Sequence, residues 1–198
     1  MPMDNRPVRP VTDAELEAFE RDGVVLLRGI YPQDWVRHLE VQLDDVFDHQ
    51  PNRSMEQRSV TGASTSGFRV DMVALSRGMR AAVPDAELAI DGGAGAEPIG
   101  RSIVETDVAA WHDGLRRHHI EGPLPEIVAG VTTSATVNFY ADQLFLKEAG
   151  SRVRTPFHQD KPYFLVKGGE VAVCWVPVDR VGADNGPMGY VRGSHRWG

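Results

Sequence analysis

The sequence predicts helices in its first part and mainly β-structure in its second, of the β-sandwich or jelly-roll kind. Three observations carry this. Apolar residues recur at helical spacing between Thr12 and Asp48, whereas the chain after Gly130 turns rich in valine, threonine and aromatic residues. In "GEVAVCWVPVD" both alternating sets are apolar, Val171, Val173 and Trp175 on one side and Ala172, Cys174 and Val176 on the other. That pattern belongs to a strand covered on two faces.

The first helix is predicted over "TDAELEAFERDG". Thr12 with Glu15 three residues later makes a capping box, Leu16 and Phe19 supply the apolar face, and Gly23 ends it. A short strand, "VVLLRG", is expected next. From Pro32 to Asp48, Val36, Leu39, Leu43, Val46 and Phe47 fall on one face of a second amphipathic helix. The stretches Pro51–Gly67 and Ala86–Gly100 read as loops. Gly62–Arg69 and the second of these are candidate substrate-side segments, and Arg69 or Arg77 facing a pocket would suit an acidic substrate. The glycines of "DGGAGAEPIG" do not form a nucleotide loop, because Pro98 stands where the third glycine of Gly-x-Gly-x-x-Gly would fall. A third helix is predicted over about Ser102–Arg117, with Val104, Val108, Trp111 and Leu115 on one face. "SATVNFYADQLFLKEAG" is then read as β-structure.

A length of 198 residues predicts a single domain, and 41% hydrophobic content suffices for a core. A net charge of -7 opposes a sequence-independent grip on phosphates, so nucleic acid is excluded as the expected partner. The single cysteine, Cys174, cannot make an internal disulfide, and no run of about 18 apolar residues predicts a membrane span. These features predict a cytoplasmic protein.

Chemistry is concentrated in "TPFHQDKPY", where His158 and Asp160 stand two apart. Seven histidines and sixteen aspartates give roughly 0.6 such pairs by chance, so context decides. His38 and Glu40 lie two apart on a predicted helix and project to different sides. His119 and Glu121 end a helix before Gly122-Pro123, with no strand to align them. An extended segment, by contrast, points His158 and Asp160 to one face and Gln159 away, and Pro156 favours extension at Thr155. Imidazole plus carboxylate suits divalent iron in a facial triad with three open positions. Spacing alone leaves the other role open, a surface histidine beside an aspartate that caps the turn before Pro162.

The stretch from Thr155 to Gly198 resembles the phytanoyl-CoA dioxygenase family of iron(II)- and 2-oxoglutarate-dependent oxygenases. The likeness lies in His-Gln-Asp, a following aromatic, a tryptophan-bearing strand, Asp-Asn-Gly-Pro and Gly-Ser-His. "VTDAELEAFERDGVVLLRGIYPQDWVRHLE" and "QLFLKEAGS" are similar to its N-terminal helices and pre-motif strand. Residues 51–130 have no such match. The resemblance implies a double-stranded β-helix, apparently incomplete at the C-terminus: 1–130 would be the helical part with substrate-side loops, and 131–198 the first part of the core. It implies Fe(II), 2-oxoglutarate and O2, and hydroxylation of a small organic substrate with release of succinate and CO2. His158 and Asp160 become iron ligands, and Trp175 and Thr155 residues of the 2-oxoglutarate pocket. Gln143 and Lys147, on one face of the preceding strand, are further candidates for that pocket.

The resemblance also places the third ligand, a histidine, and an arginine for the 2-oxoglutarate 5-carboxylate beyond Gly198, and gives His195 a structural role. His112, His118 and His119 read as a solvated helix end. Two other readings are a catalytically inactive relative acting as a binding module and a cupin-like metal protein that does not use 2-oxoglutarate. The substrate and the oligomeric state are not legible.

Overall fold

The computed structural model describes residues 3–48, 102–149, 155–164, 166 and 171–197. They fall into two compact units, the first made of Met1–Leu43, Ala109–Tyr140 and Pro156–Gly198, the second of Asp44–Val108 and Ala141–Thr155. The predicted loops and substrate-side segments between residues 51 and 100, with Arg69 and Arg77, lie outside the described residues.

In the first unit, α1 (Asp13–Asp22) begins at the predicted capping box. Thr12 Oγ1 accepts the Glu15 N–H at 3.3 Å, and the Thr12 N–H donates back to Glu15 Oε2 at 2.9 Å. Arg9 grips the same carboxylate with both terminal nitrogens, at 2.8 and 2.6 Å, and reaches Arg28 O with Nη2 at 2.7 Å. The helix ends at Gly23, where φ is 74° and the N–H returns to Phe19 O at 2.8 Å. Only glycine takes that left-handed conformation without strain.

The strand expected at 24–29 does not form. Among the described residues 24–27 belong to no sheet, and Leu26 is exposed. Among the described residues no strand pairs with this stretch, and Gly29, at φ 64°, turns the chain. α2 (Gln33–Asp48) forms as predicted, with Leu39, Val46 and Phe47 buried. Trp35 is as deeply buried as Val46, and its indole N–H is satisfied by Asp4 O at 2.8 Å.

The predicted helix over Ser102–Arg117 is three elements instead. β1 (Ser102–Thr106) leads through Asp107, at φ 56°, into a 3-10 turn at Val108–Ala110, and α3 (Asp113–Glu121) follows. The β-branched Ile103, Val104 and Thr106 favour extension. An antiparallel partner decides the matter: β2 (Gln143–Lys147) pairs Ser102 with Lys147 through Thr106 with Gln143. The two strands are the sheet of the second unit, with Ile103 and Leu144 on its buried face.

α4 (Leu124–Thr132), in the first unit, was not predicted. Leu124, Ile127, Val128 and Val131 have the 3.6-residue spacing, and prolines at its start supply a preset φ. It packs on α1 and α3. Side chains of α2 reach the α3 backbone at Gly114, where a Cβ would collide with the Gln42 side chain and where His38 Nε2 lies 3.0 Å from Gly114 O.

Among the described residues β1 and β2 are the only strands, so the mainly β character expected after Gly130 is not displayed there. Residues 171–177 are in no ladder, and Val173 and Trp175 are exposed at 63% and 42%. A strand covered on both faces needs sheet neighbours on its edges and layers above and below. The described residues supply neither.

Candidate metal centre

The segment 155–160 owes its shape to Pro156 and to the turn after it. His158 Nδ1 lies 2.9 Å from the Pro156 carbonyl. A carbonyl only accepts, so Nδ1 carries the proton and donates, which leaves Nε2 of a neutral imidazole as an acceptor. Nε2 in turn lies 3.1 Å from Asp160 Oδ1. A carboxylate oxygen is an acceptor too. Such a contact is attractive only if a proton on the ring or a cation between them joins the two atoms.

The spacing reading holds as proximity, but for a different reason. Asp160 is not extended: at φ -74° and ψ -34° it opens a 3-10 turn at Lys161–Tyr163, closed by Phe164 N–H to Lys161 O at 3.2 Å. Its carboxylate makes no capping bond to that turn. It faces His158 instead, and both side chains are partly open to solvent, at 33% and 48%.

The donor set can be tested against a divalent ion directly. Ligand atoms about 2.1 Å from an octahedral metal stand about 3 Å apart at neighbouring vertices. The observed 3.1 Å matches that bite, and an imidazole whose far nitrogen donates to a backbone carbonyl is the usual outer-shell arrangement of a metal histidine. Among the described residues no group of three or more His, Cys, Asp or Glu could hold an ion.

Two contacts lay the stretch 156–160 beside 189–194. Phe157 lies against Gly189, where a Cβ would meet its ring at 3.5 Å. Gln159 Nε2 donates to Ser194 O at 2.8 Å. Burial first, then the Asp160 carboxylate and then Cys174, push the Tyr190 phenol up, so Tyr190 lies within electrostatic reach of the candidate ligand. Cys174 is the chain neighbour of Trp175. Tyr190, Ser194 and the Pro156 carbonyl were missed from sequence: a backbone acceptor has no sequence signal, and the others gain meaning only through folding.

Gly186, at φ 78°, and Asn185 explain Asp-Asn-Gly-Pro as a turn. Asn185 Oδ1 accepts the Gly182 N–H and its Nδ2 donates to Arg180 O, both at 2.6 Å. His195 Nε2 donates to Glu20 O at 3.2 Å. Thr155 is exposed, and Gln143 and Lys147 lie exposed on one side of β2. These three belong to the second unit, whereas His158, Asp160 and Trp175 belong to the first.

The cluster expected as a solvated helix end is otherwise. His112 caps α3, its Nδ1 accepting the Leu115 N–H at 3.2 Å. His118 is 1% exposed, 2.6 Å from the Tyr31 hydroxyl through Nε2 and 3.2 Å from His119 Nδ1 through its own Nδ1. Burial, then His119 and His38, lower its pKa to about 3. His119 stacks on Phe139 with ring centroids 5.1 Å apart. The tertiary partners Tyr31 and Trp35, invisible in local spacing, overturn the solvated reading.

His158 and Asp160 thus present an imidazole and a carboxylate at a spacing that a divalent ion could bridge. The model of the family "Phytanoyl-CoA dioxygenase (PhyH)" matches residues 19–198, and the chain belongs to this family. The family has a cupin-like jelly-roll fold; its members are typically oxygenases and generally use Fe(II) and 2-oxoglutarate with O2. Searches of curated proteins and of solved structures found no match. No helix among the described residues is long and apolar enough to cross a membrane.

Proposed function

We propose that this chain is an Fe(II)- and 2-oxoglutarate-dependent dioxygenase that hydroxylates a small organic substrate, releasing succinate and CO2, built on a double-stranded β-helix. The observation that carries the reading is the His158–Asp160 pair, 3.1 Å apart with the far imidazole nitrogen committed to Pro156 O. His158 Nε2 and Asp160 Oδ1 would hold the iron, and the third ligand comes from outside the described residues.

When bound, iron with 2-oxoglutarate and dioxygen supplies the oxidising power for attack on an unactivated C–H bond. The protein's share is positioning. The Pro156 carbonyl fixes the His158 tautomer, and the turn at Lys161–Tyr163 aims Asp160 back at the imidazole rather than along the chain. Thr155, Trp175, Gln143 and Lys147 are the candidate contacts for 2-oxoglutarate. An aromatic wall at Trp175 would exclude water, and Lys147 would offer a cation to a carboxylate. The acidic chain, at net charge -7, suits a small-molecule substrate in the cytoplasm better than nucleic acid or a membrane surface.

The test is anaerobic titration with Fe(II) and 2-oxoglutarate, read by the weak visible charge-transfer band of bidentate chelation. A band in the native chain that is lost in His158→Ala and Asp160→Ala supports the assignment. A native chain that binds neither iron nor 2-oxoglutarate overturns it in favour of a binding module, and iron binding indifferent to 2-oxoglutarate favours the cupin-like alternative.

A further inference from the structure

The residue between the two candidate ligands is tied, through one turn, to the far end of the chain's first helix. The last turn of α1 leaves backbone carbonyls without helical partners. Glu20 O receives Arg196 Nη2 at 2.7 Å and His195 Nε2 at 3.2 Å, and Asp22 O receives the Gly193 N–H at 2.8 Å. Gly193 is left-handed at φ 77° and leads into the 3-10 turn Ser194–Arg196, which is thereby docked on α1. Gly23 makes room for it, since a Cβ there would stand 2.5 Å from His195 Cγ.

The outward carbonyl of that docked turn, Ser194 O, accepts the Gln159 side-chain amide at 2.8 Å. Gln159 is exposed and sits in a segment with no sheet partner among the described residues. Its flanking side chains, His158 and Asp160, nevertheless meet at 3.1 Å. We propose that Gln159 is a positioning residue: its amide pins the 158–160 backbone to the α1-anchored turn and so holds the imidazole and the carboxylate at ligand spacing. The proposal rests on the iron reading of the pair for its functional meaning. Its structural content, that Gln159 restrains His158, stands apart from that reading.

The experiment compares the native chain with Gln159→Met, which keeps length but loses the donor, and with Gln159→Asn, which keeps the amide but falls one methylene short. The first readout is metal-free: 15N shifts of the His158 ring, which report the share of the Nδ1–H tautomer. The native ring is expected in that single tautomer and both variants in a mixture, with thermal midpoints unchanged. The second readout is Co(II) alone, followed by its d–d bands. Both variants are expected to bind it about tenfold more weakly, the scale of a lost outer-shell contact. Arg196→Met, which removes one of the three bonds that dock the turn on α1, is expected to weaken Co(II) binding too and to shrink the further cost of Gln159→Met.

Unchanged His158 shifts in both variants overturn the proposal, as does a Gln159→Met effect that is fully additive with Arg196→Met. A native chain that takes up no Co(II) through His158 sinks the iron reading instead, and the tautomer shifts then decide the tether by themselves.

Discussion

Acid should destabilise this protein through His118 before any carboxylate contributes. The ring is 1% exposed, bonded to Tyr31 and His119, edge-on to Trp35 at 6.1 Å between centroids, and faced from α2 by His38. Its pKa is about 3 in the folded chain, against 6.5 for a free histidine. Below 6.5 the unfolded chain therefore binds a proton that the folded chain refuses, and stability falls with pH. The slope for one such proton is about 1.4 kcal/mol per pH unit, so about 2 kcal/mol is lost by about pH 5. Urea unfolding followed by tryptophan fluorescence between about pH 7 and 5 measures the loss. His118→Gln, which still offers Tyr31 an acceptor but does not titrate, should flatten the dependence by that amount. Equal slopes in the two proteins would refute the argument, because they would mean that His118 takes up its proton equally readily folded and unfolded.

Two further outcomes follow from α1. Thr12→Ala removes the side-chain half of the capping box and should lower stability by about 1 kcal/mol, read as a shifted urea midpoint at constant slope. The Arg9 guanidinium, more than the Thr12 bonds, holds Glu15 down at about 2, so its contribution is present above 4.5 and lost as pH falls from there toward 2. Arg9→Met should shrink that lower acid limb, leaving the share held by the Thr12 bonds, and leave the His118 limb intact. Gly23→Ala meets both a φ of 74° and the His195 ring, and should cost more than the 1–2 kcal/mol, roughly, of a left-handed alanine alone, seen in thermal unfolding.

What was legible in the sequence was what local chemistry determines. Thr12, Glu15 and Gly23 act within one helix, so their spacing carried the whole signal. Val104, Val108 and Leu115 also fit a helical period, yet Ile103 to Thr106 formed a strand because Gln143–Lys147, some forty residues away, offered an antiparallel edge. α4 had no assignment from sequence, although prolines at the start and the spacing of four apolar positions argue for a helix. His118 looked solvated because Tyr31 and Trp35, which bury it, lie eighty-odd residues earlier. The likeness of the ends to a known family was legible where these contacts were not, since ordered motifs survive in sequence while tertiary partners do not.

Hydrogen-bond direction separates the candidate ligand from the other described histidines in a way that spacing could not. His38 Nε2 is spent on Gly114 O, His112 Nδ1 on the Leu115 N–H, and His195 Nε2 on Glu20 O. His118 has both nitrogens engaged, one by Tyr31 and one by His119. Each of these bonds joins a donor to an acceptor and closes a structural account. His158 has Nδ1 donating to a carbonyl while Nε2 meets a carboxylate. An imidazole and a carboxylate held at that distance by a proline carbonyl, a 3-10 turn and the Gln159 tether are an arrangement that a ring proton or a cation completes, and the candidate centre rests on this rather than on the bare His-x-Asp spacing.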